Sequence, residues 1–187
     1  MLNWEKYLEK FDAILSGENT TTPYNKESYT NYTKLNNSRV KRWSKTTKLS
    51  NETVEVLENL SSRQKWILIT EPWCGDTANT VPIINLMAQV GTKIDFEIHL
   101  RDSKPHLIDS YLTNGGKSIP MLIIRDENDK DLYTWGPRPA EAQKLAVQNK
   151  ELELSADEKN IILQNWYRAD KGESTQKEII ALIKNHS

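Results

Sequence analysis

Hydrophobic positions recur with a helical period from the start of the chain. Trp4, Tyr7, Leu8, Phe11, Ile14 and Leu15 mark one face of an amphipathic helix. Lys6 and Lys10 are balanced by Glu5, Glu9 and Asp12, so packing on the parent domain fits better than a membrane-surface role. The period then fades. Residues 17–48 are dominated by Thr, Asn, Ser and Lys, with Tyr24, Tyr29, Tyr32 and Trp43 interleaved, which predicts a loop and then an irregular wrap or short helix. Ser50 is placed to cap NETVEVLENL, with Val54, Leu57 and Leu60 on one side.

The middle of the chain changes character. Trp66-Ile67-Leu68-Ile69 is a short apolar run and predicts a buried strand. Pro72 and Gly75 punctuate, and Ile83, Leu86, Met87 and Val90 then predict a helix over 77–90 that Gly91 ends. Ile94, Phe96, Ile98 and Leu100 alternate with polar residues as a strand does. Asp102 or Ser103 is expected to cap a helix with Pro105 and His106 in its first turn and Leu107, Ile108, Tyr111 and Leu112 inward. Ile119 to Ile124 predicts a further strand, DENDK a turn, and Asp131 to Trp135 the return strand of a hairpin. Helical patterns follow from Ala140. The capping-box pairs Ser155/Glu158 and Thr175/Glu178 are each expected to open a helix. Leu163, Trp166 and Tyr167 are expected inward in the first, Ile179, Leu182 and Ile183 in the second.

The order from residue 65 is strand, helix, strand, helix, strand, strand. The first two strands should lie parallel with a right-handed crossover, and the last two antiparallel. The expected class is α/β: a mixed sheet sandwiched by helices, with helical regions at both ends. Residues 1–61 are expected to form a helical extension packed on the core, 62–150 the core, and 151–187 helices completing the same domain.

Composition narrows the function classes. The 187 residues carry 25 Lys and Arg against 26 Asp and Glu, a net charge of −1. That balance leaves no basic footprint for nucleic acid, so the cluster Arg39, Lys41 and Arg42 beside Trp43 reads as a solvated face. No apolar run is long enough to span a membrane. The opening segment has no continuous apolar core of a signal peptide, which favours the cytoplasm as an expectation. His99, His106 and His186 lack metal-ligand spacing, and no metal site is expected. Gly115-Gly116-Lys117-Ser118 lacks the upstream glycine of a phosphate loop, Tyr111 standing there, and Ser110 and Ser118 lie in no G-x-S-x-G pattern. A single cysteine, Cys74, excludes any intrachain disulfide.

Cys74 lies in Thr70-Glu71-Pro72-Trp73-Cys74-Gly75-Asp76-Thr77, after the buried strand and at the start of a helix. Helix N-termini offer unpaired N–H groups and the positive end of the dipole, which favour a thiolate. Glu71 and Asp76 oppose it by like-charge repulsion. The expected outcome is a modestly depressed pKa, with the Thr77 hydroxyl supporting the thiolate. Arg101 and Arg138 are within sequence reach of the site to offset the carboxylates, although a structural salt bridge or cap is the commoner role for either.

This stretch resembles the thioredoxin superfamily. Trp73-Cys74-Gly75 matches the start of its W-C-G-P-C motif, Pro82 stands where the family kinks the active-site helix, and Ser118-Ile119-Pro120 is similar to the segment carrying its cis-proline. The phrases TEPWCGD, NGGKSIP, WGPRP and WYRADKG resemble a bacterial branch of thioredoxin-family proteins without an assigned substrate. The resemblance implies a thiol redox protein with Cys74 as nucleophile and Thr77 holding the thiolate. Trp73, Gly75, Asp76, Ile119 and Pro120 would form the groove for a protein or low-molecular-weight thiol or disulfide.

The departures from the family limit that chemistry. Its second cysteine falls on Thr77, its motif proline on Asp76, and its buried aspartate on Leu68. A dithiol enzyme releases a mixed disulfide by internal attack; a single thiol needs an external one such as glutathione. Cys74 is therefore open to three roles: monothiol exchange, peroxide sensing through a sulfenic acid, or none, in a binding module that has lost redox activity. No resident cofactor is implied. A buried, unreactive thiol with a raised pKa would count against the first role.

Overall fold

The computed structural model describes residues 1–185, so His186 lies outside the described residues. One sheet has the order β2-β1-β3-β4. Strand β1 (Gln64–Thr70) is central; it runs parallel to β2 (Ile94–Leu100), with Leu68 opposite Ile98, and antiparallel to β3 (Met121–Arg125), with Leu68 opposite Leu122. Strand β4 (Asp131–Trp135) closes a hairpin on β3, with a register shift at Ile124/Arg125. Both faces of β1 are covered, which is why it reads as a continuous apolar run rather than an alternation. β2 alternates because it lies at the edge. Leu2 pairs with Ile98 through two backbone hydrogen bonds of 2.8 Å and covers part of that edge.

Helix α1 (Trp4–Leu15) buries Tyr7, Phe11 and Ile14, and the Asn3 side chain caps it by accepting from the Lys6 N–H. Helix α2 spans Glu27–Thr46, and α3 (Asn51–Glu58) is capped by Ser50 as its sequence predicts. Helix α4 (Gly75–Val90) crosses from β1 to β2 and is buried on most of its circumference, from Asp76 through Ala88. Its apolar residues are therefore not confined to one stripe. Helices α5 (Ala140–Glu151), α6 (Ala156–Asp170) and α7 (Glu173–Lys184) follow the hairpin. The Ser155/Glu158 capping box of α6 is formed in both directions. These are the mixed sheet and flanking helices of a thioredoxin-like α/β fold.

Three segments differ from expectation. Residues 27–46 are one continuous helix of 20 residues, longer than the short helix or irregular wrap expected; the buried positions of α2 are Thr33, Asn36, Val40 and Trp43, half of them polar, so the hydrophobic period is weak. The segment after β2 is not a helix. His106 adopts a left-handed φ of 58°, only Leu107–Ser110 make a 3₁₀ turn, and Asn114 and Gly115 are again left-handed before a Thr113–Gly116 bridge. Its apolar residues are satisfied without helical periodicity: Ile108 is fully buried, and Leu107 and Tyr111 pack on the cluster that holds Cys74. Finally, α7 starts at Glu173, before the Thr175/Glu178 pair. Glu178 accepts instead from the Trp135 indole at 2.8 Å and the Ala140 N–H at 2.7 Å, tying α7 to the end of β4 and the start of α5.

Candidate functional site

Cys74 is the N-cap residue of α4. It is 7% exposed and packs with Ile67, Ile69, Ile108, Ile119, Met121 and Ile123. Its thiol donates to the Ile119 carbonyl at 3.4 Å. Burial pushes its pKa up to about 11, and the nearby Asp76 carboxylate pushes the same way. The Thr77 hydroxyl and the N–H groups of Thr77 and Asp76 pull it down without compensating. The depressed pKa expected from the helix start is thus corrected. A helix N-terminus favours an anion it can reach in water, but the apolar cluster removes that water, and desolvation wins. Thr77 stands beside the sulfur, and its hydroxyl also accepts from Thr70 at 2.9 Å.

Asp76 is buried. Its carboxylate is 2.7 Å from Arg138 Nη2 and accepts from the Tyr167 hydroxyl at 2.9 Å. Burial raises the Asp76 pKa, and Arg138 is the main opposing influence. Arg138 therefore makes the structural salt bridge that is its commoner expected role, and that bridge offsets the Asp76 carboxylate. Arg138 holds Asp76 rather than the sulfur, and a second nitrogen donates to Gln143 at 3.0 Å. Its Nε is buried with no hydrogen-bond partner among the described residues.

Trp73 is partly buried. Tyr29 meets its ring edge-on at a centroid distance of 5.5 Å, and the Arg101 guanidinium lies 4.6 Å from its centroid. Arg101 also pairs with Asp102 at 2.8 Å. Glu71, 2% exposed, accepts from the Tyr24 hydroxyl at 2.9 Å and the Asp102 N–H at 3.0 Å. Burial raises its pKa, and those two bonds oppose the rise. Ile119 and Pro120 are buried beside Cys74, joined by a cis peptide bond. Gly136, at φ 131°, sits so close that a Cβ there would lie 2.3 Å from the Pro120 carbonyl oxygen. The glycine of the WGPRP phrase is thus what lets the end of β4 reach Pro120.

The structure brings Trp73, Cys74, Thr77, Ile119 and Pro120 together. It turns Asp76 toward Arg138, and Gly75 toward Arg39 and Gln164, at 3.8 and 3.7 Å from its ideal Cβ. Arg39 is accordingly half-buried, whereas Lys41 and Arg42 of the same cluster are exposed. A polar seam that sequence reasoning missed joins α2, α4 and α6. Asn36 donates to the Pro72 carbonyl at 3.0 Å, Trp43 to Asn79 at 2.9 Å, and Asn79 to Gly75 O and Gln164. The available signal was Thr33, Asn36, Val40 and Trp43 at helical spacing, polar where a core helix would be apolar.

With a mixed sheet, a cysteine at the start of the first crossover helix and a proline before β3, the molecule is of the thioredoxin type. The thioredoxin family model matches residues 22–159, well over half of the chain, and the chain belongs to that family. Two solved structures share the fold over the full length of both chains. One is a protein of unknown function from Pseudomonas aeruginosa, 16% identical with a TM-score of 0.61. The other is an HIV epitope scaffold, 14% identical with a TM-score of 0.58. Comparison with curated proteins finds no match.

Proposed function

We propose that the chain is a monothiol redox protein of the thioredoxin family that holds Cys74 as a neutral thiol at rest. The observation that carries this reading is the placement of Sγ at the start of α4, 3.4 Å from the Ile119 carbonyl beside Pro120. In the family fold that backbone receives an extended substrate segment. A substrate displacing the thiol–carbonyl bond takes over the Ile119 carbonyl and frees the sulfur. Solvent admitted by that displacement takes the Cys74 proton, and the thiolate so formed attacks one sulfur of a disulfide, forming a mixed disulfide and expelling the other sulfur as a thiolate that takes up a proton. An external thiol, such as glutathione, then attacks the substrate sulfur of the mixed disulfide, forming a disulfide with the substrate and expelling Cys74 as a thiolate that is reprotonated. Thr77 supports the thiolate, and Trp73, Ile119 and Pro120 flank the incoming group. Asp76 acts through its charge and not as a contact.

Burial raises the Cys74 pKa to about 11, which keeps the thiol neutral at pH 7. That burial supports a second reading, a thioredoxin-fold binding module without redox turnover. Incubating the native chain with glutathione disulfide, followed by intact mass, separates the two. One glutathione adduct, absent in Cys74→Ser and faster at pH 9 than at pH 7, supports monothiol exchange. Absence of an adduct at pH 9 under native conditions, with full modification after unfolding, refutes it in favour of the binding module.

A further inference from the structure

Three of the large apolar side chains that the described surface leaves exposed converge on one groove: Tyr32 (43%), Leu35 (55%) and Ile161 (58%). The groove runs between α2 and α6 and encloses about 510 Å³. Tyr32, Leu35 and Arg39 lie at i, i+3 and i+7 on α2; Ile161, Gln164 and Arg168 have the same spacing on α6. Each set is one stripe of its helix, so the two stripes form facing walls. Gly75, the residue after Cys74, lines the groove between them.

The walls are basic as well as apolar. Arg39 bonds to Asn36 at 2.8 Å, and neither Arg39 nor Arg168 has a carboxylate within ion-pair distance among the described residues. Asp157 also lines the groove, but it lies in the first turn of α6, about 16 Å along the helix from Arg168. A small-molecule pocket shelters its walls, because it buries most of its ligand. Here the apolar walls are about half exposed, as on a surface that awaits a larger partner. Two helical walls with two-turn stripes match the groove that accepts an amphipathic helix.

We propose that this groove docks a helical segment of a partner protein, with apolar side chains on one face and carboxylates flanking them. Its apolar residues cover Tyr32, Leu35 and Ile161, and its carboxylates pair with Arg39 and Arg168. Docking there touches Gly75 and so places the partner against the start of α4. The inference does not depend on Cys74 being reactive.

The test is NMR titration of the full chain with a sulfur-free, four-turn helical peptide carrying leucines at i, i+3 and i+7 flanked by glutamates. A second peptide has lysine in place of each glutamate. The acidic peptide is expected to shift the resonances of Leu35, Gly75 and Ile161 and to bind at least tenfold more tightly than the basic one. Leu35→Asp and Arg168→Glu, each retaining the wild-type spectrum elsewhere, are expected to weaken it at least tenfold. Equal binding of the two peptides overturns the proposal, as does no binding up to about 1 mM or shifts confined to other surfaces. Displacement of the peptide by free glutathione would assign the groove to a small anion instead. Sedimentation showing a dimer that Leu35→Asp dissociates would assign it to a second copy of the chain. Either outcome overturns the proposal.

Discussion

At Cys74 two physical effects of opposite sign compete. The start of α4 offers N–H groups to the sulfur, while Ile67, Ile69, Ile108 and Ile119 exclude water from it. Desolvation dominates, and Asp76 adds to it. Alkylation of the native thiol should therefore accelerate close to tenfold per pH unit from pH 7 to 10, without a plateau near neutrality. A plateau below pH 8 in a stopped-flow or mass-based assay would show that the thiolate is stabilised after all. The folded pKa lies above the free value, so the buried neutral thiol favours the native state below about pH 9. That contribution is lost as the pH rises through about 11. Asp76→Asn removes the like charge and should speed alkylation at pH 8 severalfold. It also leaves Arg138 without its carboxylate, at a cost of about 3–5 kcal/mol in urea unfolding. An unchanged alkylation rate would show that the Asp76 charge does not act on the sulfur.

At the scale of elements, the joints matter more than the strands. Gly136 stands at φ 131° with the Pro120 carbonyl where a side chain would go. Gly136→Ala should destabilise by at least about 2 kcal/mol through backbone strain and the clash, and shift the Cys74 and Ile119 resonances. A variant as stable as wild type would mean that β4 can move away from Pro120 freely. Ser155→Ala removes a cap that serves α6 alone and should cost about 1 kcal/mol, measured by thermal unfolding, with no change at Cys74. The strands, α1, α3, α4 and the α6 cap were legible because each has a period or a capping residue of its own. Helix α2 was not, since Thr33 and Asn36 are buried by hydrogen bonding to the Tyr29 and Pro72 carbonyls instead of by hydrophobicity. The stretch 102–112 misled in the other direction. Its apolar spacing fits a helix, but Ile108, Leu107 and Tyr111 are there to close over the Cys74 cluster.

Over the whole molecule, the terminal helices are tied to the centre. Tyr7 and Phe11 of α1 and Ile179, Ile180 and Ile183 of α7 share one buried cluster with Trp66, Leu68 and Met87. Gly172, ahead of α7, lies so close to Ile83 of α4 that a Cβ would sit 2.3 Å from its Cδ1. A chain ending at residue 172 should therefore lose cooperative unfolding and near-ultraviolet dichroism, because three core isoleucines disappear and each buries about 1.5–3 kcal/mol of transfer free energy. A sharp thermal transition in that truncated chain would show that the central sheet folds without α7.

The linear pattern of residues settled the succession of strands and helices, the parallel β1–β2 pair, the antiparallel β3–β4 hairpin and the location of the single thiol at a helix start. Those features rest on local periodicity, chain connectivity and residue identity. The antiparallel seam of β1 on β3 and the sheet order β2-β1-β3-β4 came from the tertiary structure. Tertiary packing decided the protonation of that thiol, the diversion of Asp76 to Arg138 and Tyr167, and the approach of Arg39 to Gly75. Each depends on which groups from distant helices exclude water or supply a counter-charge at one point in space, and neighbours along the chain carry no record of that.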